Sequence, residues 1–90
     1  MKKESINRLI YRSWHRGTKE LDLILGKYIN ANVNSLKLSD IDNYELLLQS
    51  EDPDIFRWIV KRDNPPNENL NNIVLKIRNY LEANSIDEYK

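Results

Sequence analysis

The chain has 90 residues, which is enough for one domain with a single core. It carries 14 basic and 14 acidic residues, so it lacks the positive excess that binding to a nucleic-acid backbone usually requires. It has no cysteine and one histidine, which excludes disulfides and thiolate chemistry and argues against a metal site built from these side chains.

The first helix is predicted to run from about Ser5, as its N-cap, to Arg16. Gly17 follows, and a glycine in the left-handed conformation commonly ends a helix. Thr18 is expected to cap the second helix, with Glu20 in its first turn, where a carboxylate suits the helix dipole. The apolar face of the first helix consists of Ile6, Leu9, Ile10 and Trp14.

The second and third helices are predicted from helical spacing of apolar residues. The second helix is expected to fade into a loop at residues 30–34, and Ser39 to cap the third. The apolar stripe of the second helix is Leu21, Ile24, Leu25, Tyr28 and Ile29. That of the third is Ile41, Tyr44, Leu47 and Leu48.

Two further helices complete the chain. Asp52 followed by Pro53 predicts an N-cap with proline at the first helical position. Residues 64–67 contain two prolines and must form a loop, and residues 84–90 are expected to be a flexible polar tail. The apolar residues are Ile55, Phe56, Trp58 and Ile59 in the fourth helix, and Leu70, Ile73, Val74, Ile77 and Leu81 in the fifth. The sequence therefore predicts an all-α single domain, a bundle of about five helices.

No signal for membrane targeting is present in this sequence. The charged start leads into an amphipathic stretch rather than the apolar core of a signal peptide. No apolar run approaches the roughly 20 residues that span a bilayer. We therefore expect a soluble cytoplasmic protein without membrane insertion.

A basic ridge is predicted along the first helix. Arg8, Arg12 and Arg16 lie four residues apart, with His15 and Lys19 nearby. Like charges at this spacing repel each other by a few tenths of a kcal/mol per pair. The ridge is either a solvated face or a docking surface for an acidic partner.

The turn after the ridge allows two interpretations. Gly17 can end a helix, and it can also let another chain approach the backbone closely. Glu20 can serve the helix dipole or contact a partner, while Asp22 is expected to be structural. Leu23 lies off the apolar stripe of its helix and is a candidate exposed anchor.

The sequence holds no recognisable catalytic or metal-binding set. It lacks a glycine-rich phosphate loop, an HExxH motif and a Ser-Asp-His set that periodicity brings together. The acidic residues at 51, 52 and 54 lack EF-hand spacing and are best explained as a helix start. We expect neither an enzyme nor a metal site.

Residues 16–22 read RGTKELD and match the signature RGxxExD. With the upstream run at 8–13, the Tyr/Leu-rich segment at 44–47 and the DPDIFRWI segment at 52–59, the chain resembles the succinate dehydrogenase flavinylation factors. These are the small FAD assembly factors of bacteria and mitochondria. The blocks occur in the same order as in the family, and the resemblance covers nearly the whole chain.

Two departures from the family pattern stand out. Trp14 and His15 occupy positions where relatives often carry basic residues, so the ridge is expected to be less positive here. After Ile59 the family often has a glycine, whereas this chain continues with residues 60–63, VKRD. The geometry of that loop is therefore open.

The resemblance implies a chaperone-like role. Members bind the flavoprotein subunit of succinate dehydrogenase, or in some bacteria fumarate reductase, and promote covalent attachment of FAD to a histidine of that client. FAD then belongs to the client, no cofactor is bound tightly, no nucleic acid is involved, and the free protein is expected to be a monomer. The implied partner-binding residues are Arg16, Gly17 and Glu20, with Arg12, Arg8 and Tyr11 as weaker additions.

Two alternatives to this role stay open. A small helical module could bind nucleic acid through the basic first helix, with a steep salt dependence. An antitoxin-like regulator could use the same helix to bind a small toxin.

Overall fold

Five α-helices and one short 3-10 helix form the part of the chain that the computed structural model describes, residues 3–84. No strand occurs within these residues, so the predicted all-α class is confirmed. The helices are α1 (Lys3–Trp14), α2 (Lys19–Asn32), α3 (Leu38–Leu48), α4 (Asp52–Ile59) and α5 (Glu68–Ala83), with the 3-10 helix at Val33–Ser35.

The core lies where the apolar stripes of all five helices meet. α1 packs on α2, and α5 packs against α2, α3 and α4. Burying one such side chain contributes about 1.5–3 kcal/mol. The buried apolar residues are Leu9 from α1, Leu21, Ile24, Leu25, Tyr28 and Ile29 from α2, Ile41, Tyr44, Leu47 and Leu48 from α3, Ile55, Trp58 and Ile59 from α4, and Leu70, Ile73, Val74, Ile77 and Leu81 from α5.

Helix ends differ from the predictions in α1 and α2. Ser5 lies inside α1, which begins earlier, so its predicted capping role is wrong. α1 also ends at Trp14, which places Arg16 in the turn rather than in the helix. Residues 30–34 are helical rather than a loop, because Asn32 Nδ2 donates to Tyr28 O at 2.9 Å and supports the last turn of α2.

Helix α3 begins one residue before the predicted cap. Lys37 is the N-cap, and Ser39 lies inside the first turn. The backbone N–H of Lys37 donates to Asp40 Oδ2 at 3.2 Å, so an aspartate of the first turn stabilises this end instead.

Helix α4 also starts in a shifted register. Glu51 is the N-cap, Asp52 is the first helical residue, and Pro53 is the second. The prediction that Asp52 is the cap is therefore wrong. Its carboxylate is held by the α1–α2 turn instead.

The loop after α4 follows Val60, which stands where the family often has glycine and has an ordinary right-handed φ of −87°. Arg62 adopts φ 61°, in the left-handed region that usually favours glycine. Arg78 of α5 holds this loop: its Nε donates to Trp58 O at 2.8 Å and its Nη2 to Asp63 O at 2.9 Å. Asn67 Oδ1 then caps α5.

Helix α1 is fixed against α2 by a close contact that periodicity does not reveal. The ring of Trp14 lies directly over Gly26, and a Cβ at that position would clash with it. The indole Nε1 also donates to Asn30 Oδ1 at 3.4 Å. At the other end of the chain, Asn84 follows α5, and the rest of the predicted tail lies outside the described residues.

Candidate functional site

The turn between α1 and α2 carries the motif, and it is shaped by a carboxylate from α4. The backbone N–H of Gly17 donates to Asp52 Oδ2 at 2.6 Å. Gly17 does not have a positive φ, so the predicted left-handed conformation is wrong. A Cβ at Gly17 would clash with Asp52 Oδ2. The glycine is needed here for close approach of this carboxylate.

Arg16 joins this turn to the junction of α3 and α4. Its Nε donates to Asp52 Oδ1 at 2.9 Å, and its Nη2 lies 2.8 Å from the same oxygen. Its Nη1 donates to Leu48 O at 2.8 Å and its Nη2 to Ser50 O at 3.1 Å. The guanidinium thus satisfies carbonyls just at and beyond the end of α3, where helical partners are missing. The Arg16 side chain is only 14% exposed.

Two further hydrogen bonds hold the turn from the α2 side. The backbone N–H of Arg16 donates to Asp22 Oδ1 at 2.5 Å, which confirms the structural role predicted for that aspartate. Thr18 Oγ1 accepts from Leu21 N at 3.3 Å, so Thr18 caps α2 as predicted. The turn is therefore anchored to α2, α3 and α4 at once.

A cleft of about 490 Å³ opens beside this turn, between the N-terminal ends of α2 and α4. Its surface is almost entirely apolar. Glu20 lies at its edge and is exposed. The lining residues are Thr18, Glu20, Leu21, Asp52, Pro53, Phe56 and Arg57. The motif turn and the cleft share Asp52, so they form one continuous surface.

The predicted ridge of three arginines is not formed. Arg16 has left the helix and turned inward, whereas Arg8 is exposed and Arg12 is half-buried on α1. Neither Arg8 nor Arg12 forms a hydrogen bond or ion pair with any side chain that the structure describes. Together with Leu9 and Glu45 they line a small cleft of about 140 Å³.

An exposed aromatic pair lies between these arginines and the turn. Tyr11 is 64% exposed, and its ring stacks on His15 with centroids 3.9 Å apart. His15 Nδ1 lies 2.7 Å from Tyr11 O, and since a carbonyl only accepts, this nitrogen carries the proton. The pair gives the C-terminal end of α1 a flat aromatic face.

The position of α1 depends on a buried polar contact. Ser13 is fully buried, its Oγ donates to Leu9 O at 2.8 Å, and it lies 2.5 Å from Tyr44 Oη. Since the Ser13 proton is on Leu9 O, the Tyr44 hydroxyl donates to Ser13 Oγ, and its oxygen also lies 3.3 Å from Leu25 O. Burial raises the pKa of the Tyr44 hydroxyl, which the hydrogen bond with Ser13 partly offsets.

Three residues in this region have a different role or position from the one that the sequence predicted. Asp52 was interpreted as a helix start, because its position before a proline indicates a helix N-terminus. That position gives no sign of a hydrogen-bond partner 35 residues earlier in the chain. Phe56 was assigned to the core, but it is half-buried and lines the cleft. Leu23, the candidate exposed anchor, is half-buried and does not line it.

Within the described residues, no group of three or more metal-ligating side chains comes together. No helix of this part of the chain is long and apolar enough to cross a membrane.

Comparison with known proteins identifies the family. Residues 7–81 match the model of the family Sdh5, described as flavinator of succinate dehydrogenase. The mitochondrial succinate dehydrogenase assembly factor 2 of Arabidopsis thaliana is 42% identical over 65 residues, which are 72% of this chain and 35% of that protein. The protein of the same name from Dictyostelium discoideum is 46% identical over 61 residues, 68% of this chain and 43% of that protein.

A bacterial relative shows the same likeness. The FAD assembly factor SdhE of Acetobacter pasteurianus is 33% identical over 61 residues, 68% of this chain and 56% of that protein. The match thus spans from about a third to just over half of the length of these relatives. No solved structure matches the chain significantly. The resemblance predicted from the motif is confirmed, and this chain belongs to the family of flavinators of succinate dehydrogenase.

Proposed function

We propose that this protein is an assembly factor that binds the flavoprotein subunit of succinate dehydrogenase and promotes covalent attachment of FAD to it. The observation that carries the proposal is the motif turn, held rigidly by Arg16 and Asp52 beside an open apolar cleft, in a chain of this family. A surface that is already in its bound shape loses little entropy on docking.

The residues of the turn have different parts in this proposal. Gly17 is exposed and has no side chain of its own, so the client can approach its backbone on the side that the Asp52 carboxylate leaves open. Glu20 contacts the client with its free carboxylate. Arg16 acts as a positioning residue, because its guanidinium is already bound to Asp52 and to two carbonyls.

The face of α1 forms the outer part of the same surface. Arg8 and Arg12 supply positive charge that steers encounter and fixes orientation. Tyr11, stacked on His15, supplies an exposed apolar area next to the turn. Because Arg16 has left this face, only Arg8 and Arg12 remain there among the three predicted arginines. Two arginines are too few to bind a nucleic-acid backbone strongly, but they suffice at the rim of a protein interface.

The chemistry of the new bond belongs to FAD and the client in this proposal. The protein holds no cofactor of its own, works as a monomer, and can also serve a fumarate reductase flavoprotein. It favours a client conformation in which the flavin and the accepting histidine of the client can react.

Co-expression with the client tests the proposal. We expect covalent flavin fluorescence on the client band of a denaturing gel, and loss of at least about tenfold of that signal without this protein or with Gly17→Arg, whose side chain displaces Asp52 and covers the turn. Asn69→Arg introduces the same side chain at an exposed site on α5, so it is the matched control and should leave the signal intact. Circular dichroism checks that both variants keep their helices. Client flavinylation that is equal with and without this protein would contradict the proposal.

A further inference from the structure

The apolar cleft beside Glu20 has a chemistry that specifies what it binds. We propose that it receives an aliphatic or aromatic side chain of the client flavoprotein, from a segment that carries a lysine or arginine next to that side chain. This inference rests on the proposed function and names the part of the client that docks.

The lining of the cleft favours an apolar occupant. Leu21 forms its buried floor, and Phe56 and Pro53 are only partly covered by the rest of the protein. A volume of about 490 Å³ with almost no polar surface offers water few hydrogen bonds. An apolar side chain entering it removes both surfaces from water, which is the main source of affinity at the centre of an interface.

The edge of the cleft favours a positive charge on the occupant. Asp52 is already paired with Arg16, and Arg57 with Asp54 at 2.6 Å. The carboxylate of Glu20 makes no hydrogen bond or ion pair with any residue in the described part of the chain. The lining therefore presents one uncompensated negative charge. A cation beside the inserted side chain would complement that charge and fix the direction of the client segment.

The cleft is also ready to receive this segment. Asp52, bound by Arg16 and Gly17, ties the first turn of α4 to the turn that precedes α2. These are the two helix ends between which the cleft lies. The walls are therefore fixed relative to each other before the client arrives, which lowers the entropic cost of binding.

Photo-crosslinking identifies the occupant directly. Benzoylphenylalanine replaces Arg57 at the edge of the cleft, and Leu75, an exposed residue of α5, as the matched control. Each protein is irradiated in complex with the FAD-loaded client before covalent attachment, and the crosslinked peptides are sequenced by mass spectrometry. We expect position 57 alone to crosslink, to a client segment with an apolar residue within two positions of a lysine or arginine. A crosslink to a segment without that pattern, or to a second copy of this chain, would overturn the inference.

Binding measurements test the charged and the apolar contacts of the cleft separately. We expect Glu20→Gln to weaken client binding by about tenfold and to reduce its salt dependence, as the loss of an interfacial ion pair does. Glu68→Gln, at an exposed first-turn glutamate of α5, should leave binding unchanged. Phe56→Leu, checked for folding by its thermal transition, should weaken binding with the salt dependence preserved.

The outcomes separate the two proposals. If the wild-type protein neither binds the client nor raises its flavinylation, the proposed function fails. If the wild-type protein does both, yet Glu20→Gln and Phe56→Leu bind within about twofold of it, the cleft is not the docking site and only the present inference fails.

Discussion

Asp52 accepts hydrogen bonds from both Arg16 and Gly17, the first two residues of the motif. Arg16 adds two carbonyls from the end of α3 to the same cluster. Lysine is a poor replacement, because its single nitrogen cannot reach three separate acceptors as the three nitrogens of the guanidinium do. A residue that the motif assigns to partner contact is therefore also bound into the fold.

Asp52→Asn tests how strongly this cluster stabilises the protein. We expect the free energy of unfolding to fall by about 1–3 kcal/mol, because the half-buried guanidinium loses its counter-ion while its other partners stay fixed. Asp54→Asn is the matched control, since that carboxylate also pairs with an arginine in the first turn of α4 but is 42% exposed. It should change stability by about 0.5 kcal/mol or less. Urea denaturation at neutral pH measures both, and equal losses would contradict the prediction.

At the scale of the elements, the sequence predicts what depends on neighbours in the chain. The stripes of α2 and α5 lie in the core as expected, because helical periodicity alone decides which face is apolar. Helix ends were predicted less well. Ser39 lies inside α3, whose N-cap is Lys37, and the Asp52 carboxylate binds a residue 35 positions earlier instead of capping its own helix. A linear sequence pattern does not show which of several possible partners a side chain at a helix end will bind.

The left-handed residue at the end of α4 allows a separate test. Arg62 has φ 61° and also pairs with Glu82, so its replacement has two effects. Arg62→Ala loses the ion pair and keeps the backbone strain, whereas Arg62→Gly loses the ion pair and relieves the strain. We expect the glycine variant to be more stable than the alanine variant by about 1 kcal/mol. Thermal and urea unfolding of the two variants measure this difference, and equal stabilities would mean that the loop carries no strain.

At the scale of the whole molecule, the placement of the site depends on α1 being held against α2 and α3. The motif located the turn in the chain, and the family resemblance implied partner contact for Arg16, Gly17 and Glu20, which stays a prediction. The cleft could not be predicted from the sequence, because Phe56 and Pro53 lie beside Glu20 only through the packing of α4. The contact of Trp14 with Gly26 and that of Ser13 with Tyr44 could not be predicted either, because each joins two different helices.

The buried tyrosines make stability depend on alkaline pH. Burial, with a smaller effect of Asp40, raises the pKa of Tyr28 to about 12, and burial raises that of Tyr44 as well. The folded protein therefore holds these protons where the unfolded chain, with tyrosine pKa values near about 10, releases them. Their contribution is complete below about pH 10 and is lost as the pH rises toward the folded values.

We expect the free energy of unfolding to decrease between about pH 9.5 and 11.5, and to decrease less steeply in Tyr44→Phe. Urea denaturation across this range measures the slope, with Tyr11→Phe, at an exposed tyrosine, as the control that should keep it. A slope unchanged by Tyr44→Phe would mean that another group governs the alkaline transition.

The shared cluster of Arg16 and Asp52 also has a kinetic consequence. The amide proton of Gly17 is covered by the carboxylate of Asp52, and that carboxylate is held by a guanidinium bound to the end of α3. This amide is protected from exchange with solvent while Asp52 stays in place. Its exchange rate therefore reports how often the contact that joins the loop before α2 to the start of α4 is broken.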